Sequence, residues 1–288
     1  MKDYLICTDS GSDISPALLA EWGVSVRSLT FRFDGEDKEY SNQDMPTSEF
    51  YKKMREGGVA KTAAVNTEVF KEMFEPILRE GKDVLYLGFS SGLSTTYNSA
   101  RLAGLALAEE YPDSKIITVD TLCASAGQGL IVHLVLKKKA EGATIEEAAQ
   151  YAKDLVPNLC HWFTVDDLVY LKRGGRISPA AAFVGNLIGI KPVLHVDDEG
   201  HLVNVEKVRG RRASILTMAS KYGELALDKE GSTIFISHAD CKADADLLAN
   251  AIKERYGATV DIITDVGPVI GAHSGPGTLA LFFVGKYR

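Results

Sequence analysis

Short apolar runs of strand length recur along the chain, each followed by a turn and then by a stretch with helical spacing. The first unit is strand 4–8, the turn Asp9-Ser10-Gly11-Ser12-Asp13, and a helix with Ser15 as N-cap and Pro16 in its first position. The rhythm returns as strand 83–88, a serine-rich turn and helix 95–110, and again as strand 115–120 and the long helical stretch 123–141. Alternation of this kind predicts a parallel sheet covered by helices. Between the first two units, residues 24–45 carry short alternating stretches, charged turns and the pair Asp34-Gly35, which predict a small hairpin excursion.

A helix over 144–155 starts after Gly142 and stops before Pro157, where the pattern changes. This change places a boundary between an N-terminal lobe, 1–157, and a C-terminal lobe, 158–288. The second half reads as strand 162–165, a basic segment 171–178, an apolar stretch 180–190, and strands near 192–196 and 202–208. Helix 212–225, strand 233–237, helix 243–256, strand 259–265, a glycine-rich turn and a terminal strand 279–284 follow. The expected fold class is therefore α/β, with a parallel-sheet N-terminal lobe and a mixed α+β C-terminal lobe. Neither an internal repeat nor a low-complexity tract interrupts this plan.

Composition narrows the class. The hydrophobic fraction of 45% and the charged fraction of 25% are those of a globular protein, and 288 residues suffice for a large core. A net charge of -7 disfavours a sequence-independent nucleic-acid binder, which needs a basic footprint. The four cysteines stand singly, with neither zinc nor disulfide spacing, and fit a reducing cytoplasm. Met1 leads directly into the first strand, leaving no room for a signal peptide, and no apolar run approaches the roughly 20 residues that span a bilayer. The histidines show no metal-ligand spacing, so neither metal nor cofactor is expected.

In an open α/β sheet, ligands bind beyond the carboxyl ends of the strands, so the turns 9–13 and 90–94, with the residues after Asp120, are candidate walls. A helix starting near Ser94 offers backbone N–H groups and a partial positive charge to an anion, although serine, glycine and aspartate there also serve simply as turn formers. Gly88-Phe89-Ser90-Ser91-Gly92 matches a nucleophile elbow, with Asp240 and His273 following in the order of a hydrolase triad, and so raises a serine esterase as the alternative. The hydroxyls of Ser94, Thr95 and Thr96 look instead like a hydrogen-bonding rim. The run 170–178 places Lys172, Arg173 and Arg176 around Gly174-Gly175, suited to an anionic group or to plain solvent. It lacks the ending of a phosphate-binding Walker loop. His273 lies in the glycine-rich run 271–278, where glycines permit close backbone approach.

Four segments in this order, Asp9-Ser10 with Asp13, Ser90-Ser91-Gly92-Leu93-Ser94 with Thr96-Tyr97, the run 171–178, and Gly271 with His273 and Gly275-Pro276-Gly277, resemble the DegV family of bacterial lipid-binding proteins. That family includes the fatty-acid-binding subunits of fatty acid kinase. The resemblance implies a long-chain fatty acid buried between two lobes, its carboxylate held by Thr62, Ser94 and Ser91 with His273 nearby. It further implies that Arg173, with Arg176, faces phosphotransfer by a separate kinase, and that lipid exchange involves transient membrane-surface contact. The chain departs from the family in having Ala63-Ala64-Val65 where Ser-x-Pro is frequent, and Thr95 where glycine is frequent. Burying about fourteen methylenes at about 0.8 kcal/mol each gives at most roughly 11 kcal/mol before association costs. The alternating small and large residues of 180–190 suit either the lining of a narrow tunnel or ordinary core packing.

Overall fold

A computed structural model describes residues 2–178 and 189–288. In the first half the strands are β1 (Tyr4–Asp9), β2 (Ser25–Arg27), β3 (Thr30–Phe33), β4 (Tyr40–Ser41), β5 (Ala60–Ala63), β6 (Asp83–Gly88) and β7 (Ile116–Asp120). The second half contributes β8 (Leu159–Thr164), β9 (Ile190–Val196), β10 (Leu202–Arg209), β11 (Phe235–His238), β12 (Ile262–Asp265) and β13 (Leu279–Val284). The helices are α1 (Pro16–Glu21), α2 (Thr47–Arg55), α3 (Thr67–Arg79), α4 (Thr96–Glu110), α5 (Ala126–Ala140), α6 (Ile145–Leu155), α7 (Val169–Arg173), α8 (Arg211–Leu225), α9 (Lys242–Tyr256) and α10 (Pro268–Ser274).

Three sheets result. An all-parallel sheet runs β2-β1-β6-β7, and every residue of β6 is buried, as expected of a central parallel strand covered on both faces. A mixed six-stranded sheet runs β10-β9-β8-β13-β11-β12, antiparallel except where β11 meets β12. The small antiparallel sheet β4-β3-β5 completes the set. The predicted α/β plan, parallel first and mixed second, is thus the observed one.

Four local expectations are corrected. The hairpin excursion is divided: β2 joins the parallel sheet, while β3 and β4 recruit β5, the strand that carries Thr62. The helix expected from residue 123 begins at Ala126, because Leu122 (φ 49°) and Ser125 (φ 54°) adopt left-handed backbone that helix cannot accommodate. The glycine-rich segment holding His273 is helix α10, with Pro268 in its first turn; only Gly275 and Gly277 beyond it have positive φ. Gly271 serves packing, since a Cβ there would come 2.4 Å from the Tyr51 hydroxyl. The basic segment likewise begins as a short helix, α7.

Helix α5 sits between the parallel and mixed sheets, and its stretch from Ala126 to Val132 is entirely buried. One apolar cluster joins Ile6, Leu85 and Leu87 through Leu130 and Ile131 to Phe163 and Phe282. Two helical glycines permit this. A Cβ at Gly129 would lie 2.4 Å from Ile14, and one at Gly127 would lie 2.4 Å from His161 Nε2 and 2.8 Å from Phe282. Gly127→Val should therefore destabilise the fold by about 1–3 kcal/mol through overpacking, read as a lower denaturant midpoint at unchanged m-value. An unchanged midpoint would show that α5 has room to shift.

Candidate functional site

A cavity of about 460 Å³ lies along the face of the mixed sheet, within the roughly 300–1,000 Å³ usual for small-molecule sites. Alternate residues of β8 and β13 form its floor: His161 pairs across with Phe282, and Phe163 with Ala280. Val196 and Leu202, paired across β9 and β10, and Leu29, Phe89, Val269 and Ile270 add further apolar lining. The slot is mostly apolar, and its polar groups gather in two places.

At one end β5, the loop after β6 and helix α10 converge. Thr62 Oγ1 lies 2.8 Å from His273 Nε2, with Ser91, Ser94 and Arg176 in the same wall. His273 is half-buried; burial, with the nearby Arg176 cation, depresses its pKa to about 4, so the ring is neutral near pH 7. Its Nδ1 has no hydrogen-bond partner among the described residues and lies so close to Gly174 that a Cβ there would approach to 2.2 Å. Ser94 Oγ lies 2.9 Å from Thr96 Oγ1 and accepts from the Thr96 N–H at 3.2 Å.

The loop bearing Ser91 and Ser94 is held from every side. Phe89 N–H donates to Asp9 Oδ2 (3.0 Å), Ser90 N–H to the Cys123 carbonyl (2.9 Å), and Ser91 N–H to Asp120 Oδ1 (3.2 Å). Arg176 donates to the Leu93 carbonyl through Nε and Nη2, at 3.2 and 3.1 Å, and also to the Gly174 carbonyl. Asp9 is fully buried; besides Phe89 it accepts from the Tyr86 hydroxyl, the Gly11 N–H and the Gln128 amide. Burial raises its pKa against the pull of these donors.

The second polar group in the lining is Ser125 at the start of α5 with Ser237 of β11, both buried and their hydroxyls 2.8 Å apart. Of the residues after Asp120, Ala124 and Ser125 do form wall, whereas Asp9 and Asp13 lie behind the lining and support it. Ser237 and His161 were not foreseen, because single polar residues in apolar strands carry no periodic signal.

Thr62, Ser91, Ser94, His273 and Arg176 are thus brought to one cavity. Arg173 is not: it is exposed at the end of α7, its guanidinium 5.7 Å from the centre of the Tyr170 ring. The expected tunnel segment 180–190 lies outside the described residues except for Gly189 and Ile190, neither of which lines the cavity. The esterase constellation does not assemble. Ser90 is 0% exposed and donates to the Gly200 carbonyl at 2.9 Å, His273 is engaged with Thr62, and Asp240 pairs with Arg55. Among the described residues no cluster of His, Cys, Asp or Glu is arranged to hold a metal ion, and no helix is long and apolar enough to cross a membrane.

Fold and site together define an α/β binding protein with a largely apolar slot whose wall carries hydroxyl, imidazole and guanidinium groups. The chain belongs to the DegV family, whose model, described as an uncharacterised protein family, matches residues 4–286. A DegV domain-containing protein of Clostridium perfringens is 41% identical over 289 residues, covering 100% of this chain and 99% of the relative. The solved DegV lipid-binding protein of Thermotoga maritima superposes with a TM-score of 0.86 at 31% identity, covering 99% of both chains. A stearic-acid-binding protein of Eubacterium ventriosum gives a TM-score of 0.88 at 27% identity, again covering 99% of both.

Two outcomes follow from the geometry. A fluorophosphonate probe should leave Ser90 unlabelled in the folded protein, and an adduct there would restore the hydrolase reading. Because the folded protein holds His273 near 4 against 6.5 when unfolded, its contribution to stability is complete above 6.5 and is lost as pH falls through 6.5 towards 4. His273→Asn should flatten the decline of Tm between these limits. A decline of equal slope in the variant would assign it to other groups.

Proposed function

We propose that this protein binds one long-chain fatty acid, its alkyl chain in the slot and its carboxylate against Thr62, Ser94, Ser91 and His273, and presents that carboxylate to a separate ATP-dependent fatty acid kinase. The observation that carries this reading is the Thr62–His273 pair, which shares one end of an apolar slot with the Ser91–Ser94 loop. The ligands named for solved members of the family, stearic acid among them, support it. The lobes 1–157 and 158–288 form its two halves.

A carboxylate removed from water needs replacement donors, and a neutral imidazole with hydroxyls supplies them without a bidentate guanidinium fork. In the proposed reaction a carboxylate oxygen attacks the γ-phosphorus of ATP on the kinase, the bond to the β-phosphate bridging oxygen breaks, and ADP leaves. This chain contributes position only: the hydroxyl rim fixes the nucleophilic carboxylate, and exposed Arg173 stands outside, towards the incoming phosphoryl group. Arg176 braces the rim through Leu93. The work belongs to the cytoplasm, with transient contact at a membrane surface for lipid exchange.

Native mass spectrometry of protein purified from cells should find one fatty acid per chain; bound masses matching no lipid would overturn the reading. Thr62→Val or Ser94→Ala should weaken binding about tenfold, the loss of about one charge-assisted hydrogen bond. Arg173→Ala should leave affinity intact and lower kinase-coupled turnover. Equal loss of affinity in all three variants would refute this division of roles.

A further inference from the structure

Beyond β13 the chain is held against the body by its own hydrogen bonds. Gly285 N–H donates to the Asn158 carbonyl at 2.7 Å, Lys286 N–H to the Leu225 carbonyl at 2.9 Å and Arg288 N–H to the Pro157 carbonyl at 2.8 Å, and Cys160 Sγ donates to the Tyr287 carbonyl at 3.1 Å. These contacts deliver the Arg288 side chain between the turn Val156–Asn158 and the loop 121–125, where the residue is 8% exposed. Its Nη1 donates to the Val156 carbonyl at 3.3 Å, and its Nη2 donates to the Leu122 carbonyl and, at 3.5 Å, to Cys123 Sγ. The arginine ion pairs among the described residues are those of Arg55, Arg79 and Arg211, not of Arg288. A buried guanidinium that meets only carbonyls and a thiol carries a desolvation cost that an apolar side chain of similar volume would avoid. What it adds is a planar fork able to join carbonyls of two separate segments.

The loop that Arg288 grips is one that needs holding. Leu122 (φ 49°) and Ser125 (φ 54°) have positive φ, a backbone that residues other than glycine keep only where surrounding contacts impose it. From within, Leu122 N–H donates to Asp120 Oδ1 at 3.1 Å and Cys123 N–H to Thr121 Oγ1 at 3.2 Å; from outside, the grip is that of Arg288. The same loop serves the slot twice. Ala124 and Ser125 are part of its wall, and the Cys123 carbonyl accepts the Ser90 N–H at 2.9 Å, fixing the start of the turn that brings Ser91 and Ser94 to the cavity. Arg288 itself is not in the wall.

We infer that Arg288 is a positioning residue for ligand binding: its guanidinium holds the 121–125 loop in place as slot wall and, through the Cys123–Ser90 hydrogen bond, holds the Ser91–Ser94 turn that meets the ligand's head group. The inference rests on the fatty-acid reading of the slot and adds to it a residue that never touches the acid. Without the guanidinium the Leu122 carbonyl loses its outside donor, and the loop relaxes towards backbone that its side chains prefer. Ser90 then loses a fixed acceptor, and ordering of both loops is left to the moment of binding, which weakens affinity. Lysine keeps the charge but presents a single point donor, and so cannot hold the Val156 and Leu122 carbonyls together.

Delipidated wild type, Arg288→Met and Arg288→Lys are titrated with myristate well below their unfolding temperatures, and amide hydrogen exchange is followed at Ser90 and, as a reference in the core of the parallel sheet, at Leu85. Arg288→Met should bind myristate about tenfold more weakly, the equivalent of one hydrogen bond to a charged group, and its Ser90 amide should accelerate by a larger factor than Leu85. Arg288→Lys should lose part of the same affinity, and it supplies the same comparison if the methionine variant does not fold. Wild-type affinity in a folded variant, or Ser90 and Leu85 accelerated by one common factor as a general loss of stability would give, overturns the inference while leaving fatty-acid binding in place. Failure of myristate to bind wild type overturns the fatty-acid reading itself, and this inference with it.

Discussion

The close approach of α5 to both large sheets is the constraint on which the architecture turns. The first two turns of α5, from Ala126 to Val132, are buried around the whole circumference and must find partners on every side, whereas its lysine-rich last turn reaches solvent. Gly127 and Gly129 allow this, one against His161 and Phe282 of the mixed sheet, the other against Ile14 of the first turn. With the helix so close, the residues that lead into it, Ala124 and Ser125, become part of the slot wall, and Ser125 arrives beside Ser237. Ligand shape and core packing are therefore set by the same contacts.

Buried carboxylates then fix the loops that the sheets alone would leave loose. Asp9 gathers donors from β6, from the loop beyond it and from α5; Asp13 gathers them from the starts of α5 and α10. Each stitches together segments far apart in sequence, at the expense of desolvating an acid. The result is a rim whose backbone is hydrogen-bonded to its surroundings in this structure. Arg176 contributes in the same way, its guanidinium spent on the Leu93 and Gly174 carbonyls.

Much of this was legible in the chain. Strand–turn–helix periodicity gave the parallel sheet, Ser15-Pro16 gave the start of α1, and Thr144 with Glu147 forms a capping box where a helix was expected. Thr62, Ser91, Ser94 and His273, named through family resemblance, do meet in one cavity. What stayed hidden depends on contacts distant in sequence. Nothing local marks residues 60–63 as a strand, because β5 is set by pairing with β3, and nothing local separates a glycine used for a turn from Gly271, used for packing against Tyr51. The elbow around Ser90 misled for a related reason: its glycines fit the motif, but Gly92 is small because the 199–200 backbone crosses it, where a Cβ would come 2.7 Å from the Glu199 carbonyl.

Apart from Arg176, whose guanidinium is spent on the Leu93 and Gly174 carbonyls, the polar end of the slot is built from groups that stay uncharged. His273 has its charge suppressed by burial and by Arg176, and Thr62 and Ser94 are hydroxyls. A guanidinium fork at that place would bind a carboxylate more tightly, but it would occupy both oxygens and resist the proposed conversion of one of them into the mixed anhydride of an acyl phosphate. Neutral donors hold an anion by direction and leave its nucleophilic lone pairs available. The alkyl chain, through the apolar walls, can supply affinity without touching the reacting end. Under the proposed function, retention and reactivity fall to different parts of one ligand, which is the separation that a carrier handing its cargo to an enzyme requires.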